Sequence, residues 1–168
     1  IVHGGLNSSG VLSDTWALGL TEGSEAWTRL AATGPSRTSH AGIYDPVGDR
    51  LIISGGRAGL QARGDVYAFD LTTNTWSQIE VAGAAPAPRQ EHAAIYDAAN
   101  YRMVIYGGRS GDTVYNDSWA LPLDAPPRPT PTGGRRRFCS GRQTGLWHWW
   151  SVSRPLGVHG SCILRGLS

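Results

Sequence analysis

A short glycine-marked motif returns along this chain at intervals of 51 and 52 residues, measured from Gly5 to Gly56 and from Gly56 to Gly108. Ile1-Val2-His3-Gly4-Gly5 comes back as Ile52-Ile53-Ser54-Gly55-Gly56 and then as Val104-Ile105-Tyr106-Gly107-Gly108. The same shift carries Asp14-Thr15-Trp16-Ala17-Leu18 onto Asp65-Val66-Tyr67-Ala68-Phe69, and onward to Asp117-Ser118-Trp119-Ala120-Leu121. It also carries Arg37-x-x-His40-Ala41-x-Ile43-Tyr44-Asp45 onto Arg89-x-x-His92-Ala93-x-Ile95-Tyr96-Asp97. Three registers agree on one spacing. A fixed period of this size marks a stacked or radial array of small supersecondary units.

Within a repeat the pattern is that of strands. The best copy offers four: Thr38–Tyr44, Arg50–Ser54, Asp65–Phe69 and Thr75–Ile79. Leu51-Ile52-Ile53 and its counterpart Met103-Val104-Ile105 are short apolar runs, suited to strands buried on both faces. Asp, Asn, Pro and Gly cluster in the connectors Tyr44–Asp49 and Asp70–Asn74, which have hairpin length. No segment carries a capped 3.6-residue periodicity. The expected fold is all-β, built from four-stranded antiparallel units. Paired glycines closing an apolar strand, Gly4-Gly5, Gly55-Gly56 and Gly107-Gly108, imply positive φ or close approach of a neighbouring backbone.

These elements resemble the Kelch family. The match rests on the apolar strand ending in Gly-Gly, the Asp65-x-Tyr67 strand, and Trp76 with its counterpart Trp27. The Arg-x-x-His and Tyr-Asp elements resemble the longer, bacterial-style version of the repeat. The likeness covers residues 1 to about 121. It implies a β-propeller, in which four-stranded blades surround a central channel. Thr38–Tyr44 would then be an innermost strand and Thr75–Ile79 an outermost one. Blades divide near residues 1–30, 38–80 and 90–121.

The third copy departs from the pattern. A second Trp should follow Trp119, as Trp27 follows Trp16 and Trp76 follows Tyr67. Asp124-Ala125-Pro126-Pro127-Arg128-Pro129-Thr130-Pro131 stands there instead, which cannot be a central strand. The strand count is three, four and three. A closed ring needs more, so the expectation is a fragment, residues 1–125, of a longer propeller whose missing blades complete it. The chain opens inside a repeat, with no charged-then-apolar leader and no run long enough for a transmembrane helix.

Charge divides the chain. Residues 1–125 hold all thirteen acidic side chains and eight Arg; residues 126–168 hold seven Arg and no acid. Lys is absent throughout. The second segment carries Arg135-Arg136-Arg137, Trp147-His148-Trp149-Trp150 and both cysteines. Three readings compete for it. It could be a basic, aromatic tail for an anionic polymer such as nucleic acid. It could be a metal site from Cys139, His148, His159 and Cys162. It could be translation out of frame, which would explain the abrupt loss of the repeat. In each reading the segment lies outside the propeller.

Candidate residues separate by periodicity. An active site is seldom copied into every repeat, whereas a packing element is. His40, His92, Asp14, Asp65, Asp117, Arg37, Arg89, Trp27, Trp76 and the paired glycines are therefore assigned to the scaffold. The histidines are expected to hydrogen-bond between blades, and the aspartates to bridge a loop to a neighbour. The loops after Gly-Gly vary from copy to copy, and per-repeat variation on one face is where repeat proteins place binding. Arg57, Arg63, Arg109 and Tyr115 are the candidate ligand-binding residues. The chain lacks Gly-x-Ser-x-Gly, a phosphate-binding loop and His-Glu-x-x-His, so no catalytic residue, cofactor or metal ligand is assigned. The expected function is an interaction module for a protein or carbohydrate ligand. The alternative is part of a Kelch-propeller enzyme resembling the copper enzyme galactose oxidase.

Overall fold

The computed structural model describes residues 1–126. Ten strands build three consecutive antiparallel sheets, and three small hairpins project from them. The first sheet contains β1 (Val2–His3), and the hairpin β2 (Leu6–Asn7) to β3 (Gly10–Val11) leads to β4 (Thr15–Gly19) and β5 (Ala26–Ala31). The second contains β6 (Ala41–Asp45) and β7 (Arg50–Ser54), then the hairpin β8 (Arg57–Ala58) to β9 (Gln61–Ala62), then β10 (Val66–Asp70) and β11 (Thr75–Ile79). The third contains β12 (Ala93–Asp97) and β13 (Arg102–Tyr106), the hairpin β14 (Arg109–Ser110) to β15 (Thr113–Val114), and β16 (Ser118–Pro122). Strand order is β1-β4-β5, then β6-β7-β10-β11, then β12-β13-β16. Three, four and three strands are thus present among the described residues, as in successive blades of a β-propeller.

Register places the apolar runs where they can be covered. Ile52 pairs with Ile43 on one side and Ala68 on the other, and Val104 pairs with Ile95 and Ala120. Ile52 and Met103 are fully buried. The core lies between the second and third sheets, where Ile43, Ile52, Val66 and Ala68 meet Met103 and Ile105. Trp119, Leu121 and Tyr96 pack against its edge.

Charge fixes the innermost hairpins. Asp45 is fully buried at the end of β6 and accepts hydrogen bonds from Arg50 Nε at 2.8 Å and from the Val47 N–H at 3.1 Å. Asp97 and Arg102 repeat the pairing at 2.8 Å in the third sheet. The Tyr-Asp element of the repeat therefore closes the turn between the first two strands of the second and third blades.

Two strands differ at both ends from the sequence expectation: β6 is Ala41–Asp45 rather than Thr38–Tyr44, and β10 is Val66–Asp70 rather than Asp65–Phe69. The innermost strand begins at Ala41 rather than Thr38, because Ser39 is left-handed with φ 56° and breaks the pairing. Thr38 keeps only an isolated bridge to Arg57. The third strand begins at Val66 rather than Asp65, leaving the Asp65 side chain free to bridge. The variable loops also contain two-stranded hairpins, which apolar patterning alone does not mark. Residues 127–168, including the proposed polymer-binding and metal-site residues, lie outside the described residues.

Candidate functional site

Adjacent blades are joined by one repeated device. The N–H of Gly5 donates to the Arg37 carbonyl at 2.8 Å, and the N–H of Gly56 donates to the Arg89 carbonyl at 2.8 Å. In return the Arg37 N–H donates to Leu12 at 3.3 Å, and the Arg89 N–H to Arg63 at 2.9 Å. The chain entering each new blade is thus stitched into the glycine loop of the preceding blade. That approach leaves no room for a side chain at Gly55, where at φ +59° a Cβ would fall 2.6 Å from the Arg89 carbonyl oxygen. In the second and third pairs the second glycine is crowded by its own blade. A Cβ on Gly56, at φ +81°, would fall 2.7 Å from both His40 Cβ and the Thr38 carbonyl oxygen. On Gly108, at φ +91°, it would fall 2.7 Å from the Gln90 carbonyl oxygen and 2.8 Å from His92 Cβ.

The stitched arginines then turn into their own blade. Arg89 is buried and grips Asp117 through both terminal nitrogens, at 2.6 and 3.1 Å, and also donates to the Gly107 carbonyl at 2.9 Å. Its guanidinium lies over the Tyr115 ring at 4.3 Å. Arg37 pairs with Asp65 and faces Tyr67 at 5.7 Å. Asp117 also receives the Trp119 indole N–H at 2.7 Å; Arg89 first and this indole second hold its carboxyl well below the usual range. Asp14 receives the Trp16 indole N–H at 2.8 Å, which lowers its pKa in the same way.

The first seam has an aromatic lock of its own. Trp76 Nε1, from the second blade, donates to Thr15 Oγ1 of the first at 3.0 Å. Thr15 also bonds His3 Nδ1 at 3.0 Å, and His3 Nε2 meets the Pro35 carbonyl at 2.9 Å. The Trp76 ring contacts His3 at 4.3 Å and Phe69 at 5.1 Å between centroids. His40 meets His3 edge-on at 5.8 Å. Burial lowers the pKa of His40 to about 4, with the neighbouring His3, Arg37 and His92 contributing in the same direction. Burial lowers His3 and His92 as well. The hydrogen bonds between blades expected of His40 and His92 are not made among the described residues: His40 Nδ1 and both ring nitrogens of His92 are buried without partners. Their packing role is to fill space against Gly56 and Gly108.

Each connecting hairpin exposes an apolar side chain. Leu6, Leu60 and Val114 are 59%, 96% and 78% exposed, one per blade. Basic residues flank those of the second and third blades. Arg109 donates to Glu91 from Nε at 2.6 Å and from Nη2 at 2.9 Å. Arg57, at the same place in the second blade, is half-buried, and its Nε has no hydrogen-bond partner among the described residues. Arg63 has an exposed side chain while its backbone belongs to the seam.

Comparison with known proteins agrees with this geometry. The model of the KLHDC2/KLHL20/DRC7 Kelch-repeats domain matches residues 1–140. The chain belongs to the Kelch-repeat family. Among similar proteins, the human Rab9 effector protein with kelch motifs is 35% identical over 122 residues, 69% of this chain and 32% of that protein. Acyl-CoA-binding domain-containing protein 4 of Arabidopsis thaliana is 33% identical over 119 residues, 64% of this chain and 18% of that protein. Dynein regulatory complex subunit 7 of Chlamydomonas reinhardtii is 38% identical over 77 residues, 45% of this chain and 6% of that protein. The chain thus spans about a third or less of the length of these relatives.

On this Kelch scaffold two of the four candidate residues already have partners within the chain. Tyr115 is spent on Arg89, and Arg109 on Glu91. Arg57 and Arg63 make no ion pair among the described residues. Sequence reasoning missed Glu91, Ser39, Thr15 and His3. Their signal was a difference between copies, where Glu91 stands opposite Ser39 and His3 opposite Ser54 and Tyr106.

Proposed function

We propose that this Kelch segment is a protein-interaction module that engages its partner through the β2–β3, β8–β9 and β14–β15 hairpins. The observation that carries the reading is the exposed apolar residue on every one of them, Leu6, Leu60 and Val114, together with Arg57 and Arg63, which make no ion pair among the described residues. Apolar side chains grouped on one set of loops, with charge around them, suit a partner surface better than water. Relatives named as a Rab9 effector and as a subunit of a dynein regulatory complex support a protein as the partner class. No comparable observation favours a carbohydrate.

The interacting unit is assigned to residues 1–125, part of a longer ring, with 126–168 outside it. Limited proteolysis tests that boundary: an intact fragment of residues 1–125 supports it, and a common protected core reaching into the second segment refutes it.

The function itself is tested by selecting peptides from a displayed random library against the full chain. Enriched peptides should bind and lose affinity by about tenfold for a Leu60→Ser, Val114→Ser variant, the change expected from losing apolar anchors. A selection that enriches nothing, or binding indifferent to both substitutions in a folded variant, overturns the reading.

A further inference from the structure

The second and third blades build the same arginine into the same backbone frame, and only one of the two is neutralised. In the third blade, Gln90 and Arg109 exchange two backbone hydrogen bonds, each 2.9 Å long. Glu91 follows Gln90 in a left-handed conformation with φ 58° and presents its carboxylate to Arg109. In the second blade, Thr38 and Arg57 exchange the same two bonds, at 3.1 and 2.9 Å. Ser39 follows Thr38 with φ 56°. It stands 18 residues before Arg57, as Glu91 stands 18 before Arg109. Only the carboxylate is missing.

From this comparison we infer that Arg57 is an open seat for a carboxylate supplied by the partner protein, an Asp or Glu side chain, and that Glu91 shows on the molecule itself how such a group is held. The inference rests on the interaction-module reading and names its chemistry.

Four observations support it. A guanidinium offers a planar fork that matches a carboxylate, so the bidentate grip of Arg109 on Glu91 is a strong form of recognition. Serine cannot supply that acceptor, and Arg57 has no ion-pair partner among the described residues. Left-handed backbone at non-glycine residues is uncommon and costs free energy, and such residues gather where geometry serves a site. Here it recurs at both equivalent positions, directly beside the two arginines. The Glu91 carboxyl is held low by Arg109 first, with Arg57 adding a smaller attraction through space. Arg57 is thus close enough to share the field of a neighbouring carboxylate, while both Glu91 oxygens are committed elsewhere.

The experiment is a titration of the 15N-labelled full chain with glutarate, with glutaramide as the neutral control and inorganic phosphate as the alternative anion. The arginine Nε–H signals are followed by NMR. The Arg57 signal should move with glutarate and stay still with glutaramide. Ser39→Glu should fill the seat from within and abolish the movement. Glu91→Gln should open a second seat, so that Arg109 also responds. Arg57→Gln provides a loss of the seat that does not depend on Ser39→Glu folding. Equal movement with phosphate would show unspecific anion attraction and overturn the proposal, as would a response unchanged by Ser39→Glu in a folded chain. Peptides selected on the hairpins should carry an acidic residue and bind about tenfold or more weakly to Arg57→Gln. Peptides that lack an acid, ignore Arg57→Gln and yet depend on Leu60 would sink the seat and leave the interaction module standing. A glutarate response that Ser39→Glu blocks, with no peptide selected, would keep the seat and remove the module.

Discussion

Trp76 of the second blade donates its indole N–H to the hydroxyl of Thr15 in the first blade at 3.0 Å. Thr15 is fully buried, so this bond is made away from water and across a seam. Trp27 holds the equivalent place one blade earlier, yet it is 54% exposed. The same residue type therefore carries a different load at the two positions.

Trp76→Phe should lower the free energy of unfolding by about 1 kcal/mol, the net worth of a typical intramolecular hydrogen bond. Trp27→Phe should stay within about 0.5 kcal/mol, as surface changes do. Urea unfolding of the two variants in parallel checks the contrast, and equal losses would show that the seam bond contributes nothing.

Gly56→Ala and Gly59→Ala separate conformational strain from collision. Both glycines have positive φ, +81° and +63°, but nothing lies within 4 Å of a Cβ at Gly59. Gly59→Ala should cost about 1 kcal/mol from the left-handed backbone. Gly56→Ala adds a clash with the Thr38 carbonyl and His40, and should cost more than about 2 kcal/mol. Comparable denaturation midpoints for the two variants would refute the close-approach role.

Acid should weaken the domain in two stages. His40 is held at about 4 against an ordinary 6.5, and His3 and His92 are also lowered. The unfolded chain binds these protons first, so stability is full above about 6.5 and falls as pH drops toward 4. Asp117, Asp97 and Asp70 are depressed below the usual 3.8, so their contribution is lost only at still lower pH. His40→Gln should make the first stage shallower, with His3 and His92 keeping the remainder, and leave the second. Thermal melts between neutral pH and pH 4 read it directly; a wild-type slope in the variant would discard the assignment.

Arg89→Lys keeps the charge and removes the fork that holds both oxygens of Asp117. It should lower the melting temperature by more than Arg109→Lys, whose partner Glu91 is exposed along with it. Near-equal shifts would mean that burial of Arg89 adds nothing.

Architecture was legible in the sequence because a periodic chain states each instruction more than once. The Gly-Gly pairs, the apolar Leu51-Ile52-Ile53 run and the Asp-Trp strand fixed the strand count of three, four and three. Strand ends were less legible. Ser39 turns left-handed because the stitched backbone and the adjacent seam demand it, which is a tertiary effect at a residue with ordinary local preference. The candidate residues were found by type and separated only by their partners. Arg57 and Arg109 look alike in the chain, and Glu91 makes them different. Partners 18 residues apart through a strand and a turn have no local signature. The cross-blade pair of Thr15 and Trp76, 61 residues apart, has still less.

The stitch between Gly5 and Arg37 recurs between Gly56 and Arg89 with the same donor, acceptor and length. It is also one-way, since the glycine loop of one blade always receives the arginine strand of the blade that follows it. A chain assembled on such a coupling can change in whole modules, because the same backbone bond joins successive blades at both seams. Excising or duplicating a complete repeat of about fifty residues keeps a glycine loop next to an arginine strand. The natural quantum of variation for this protein is the blade.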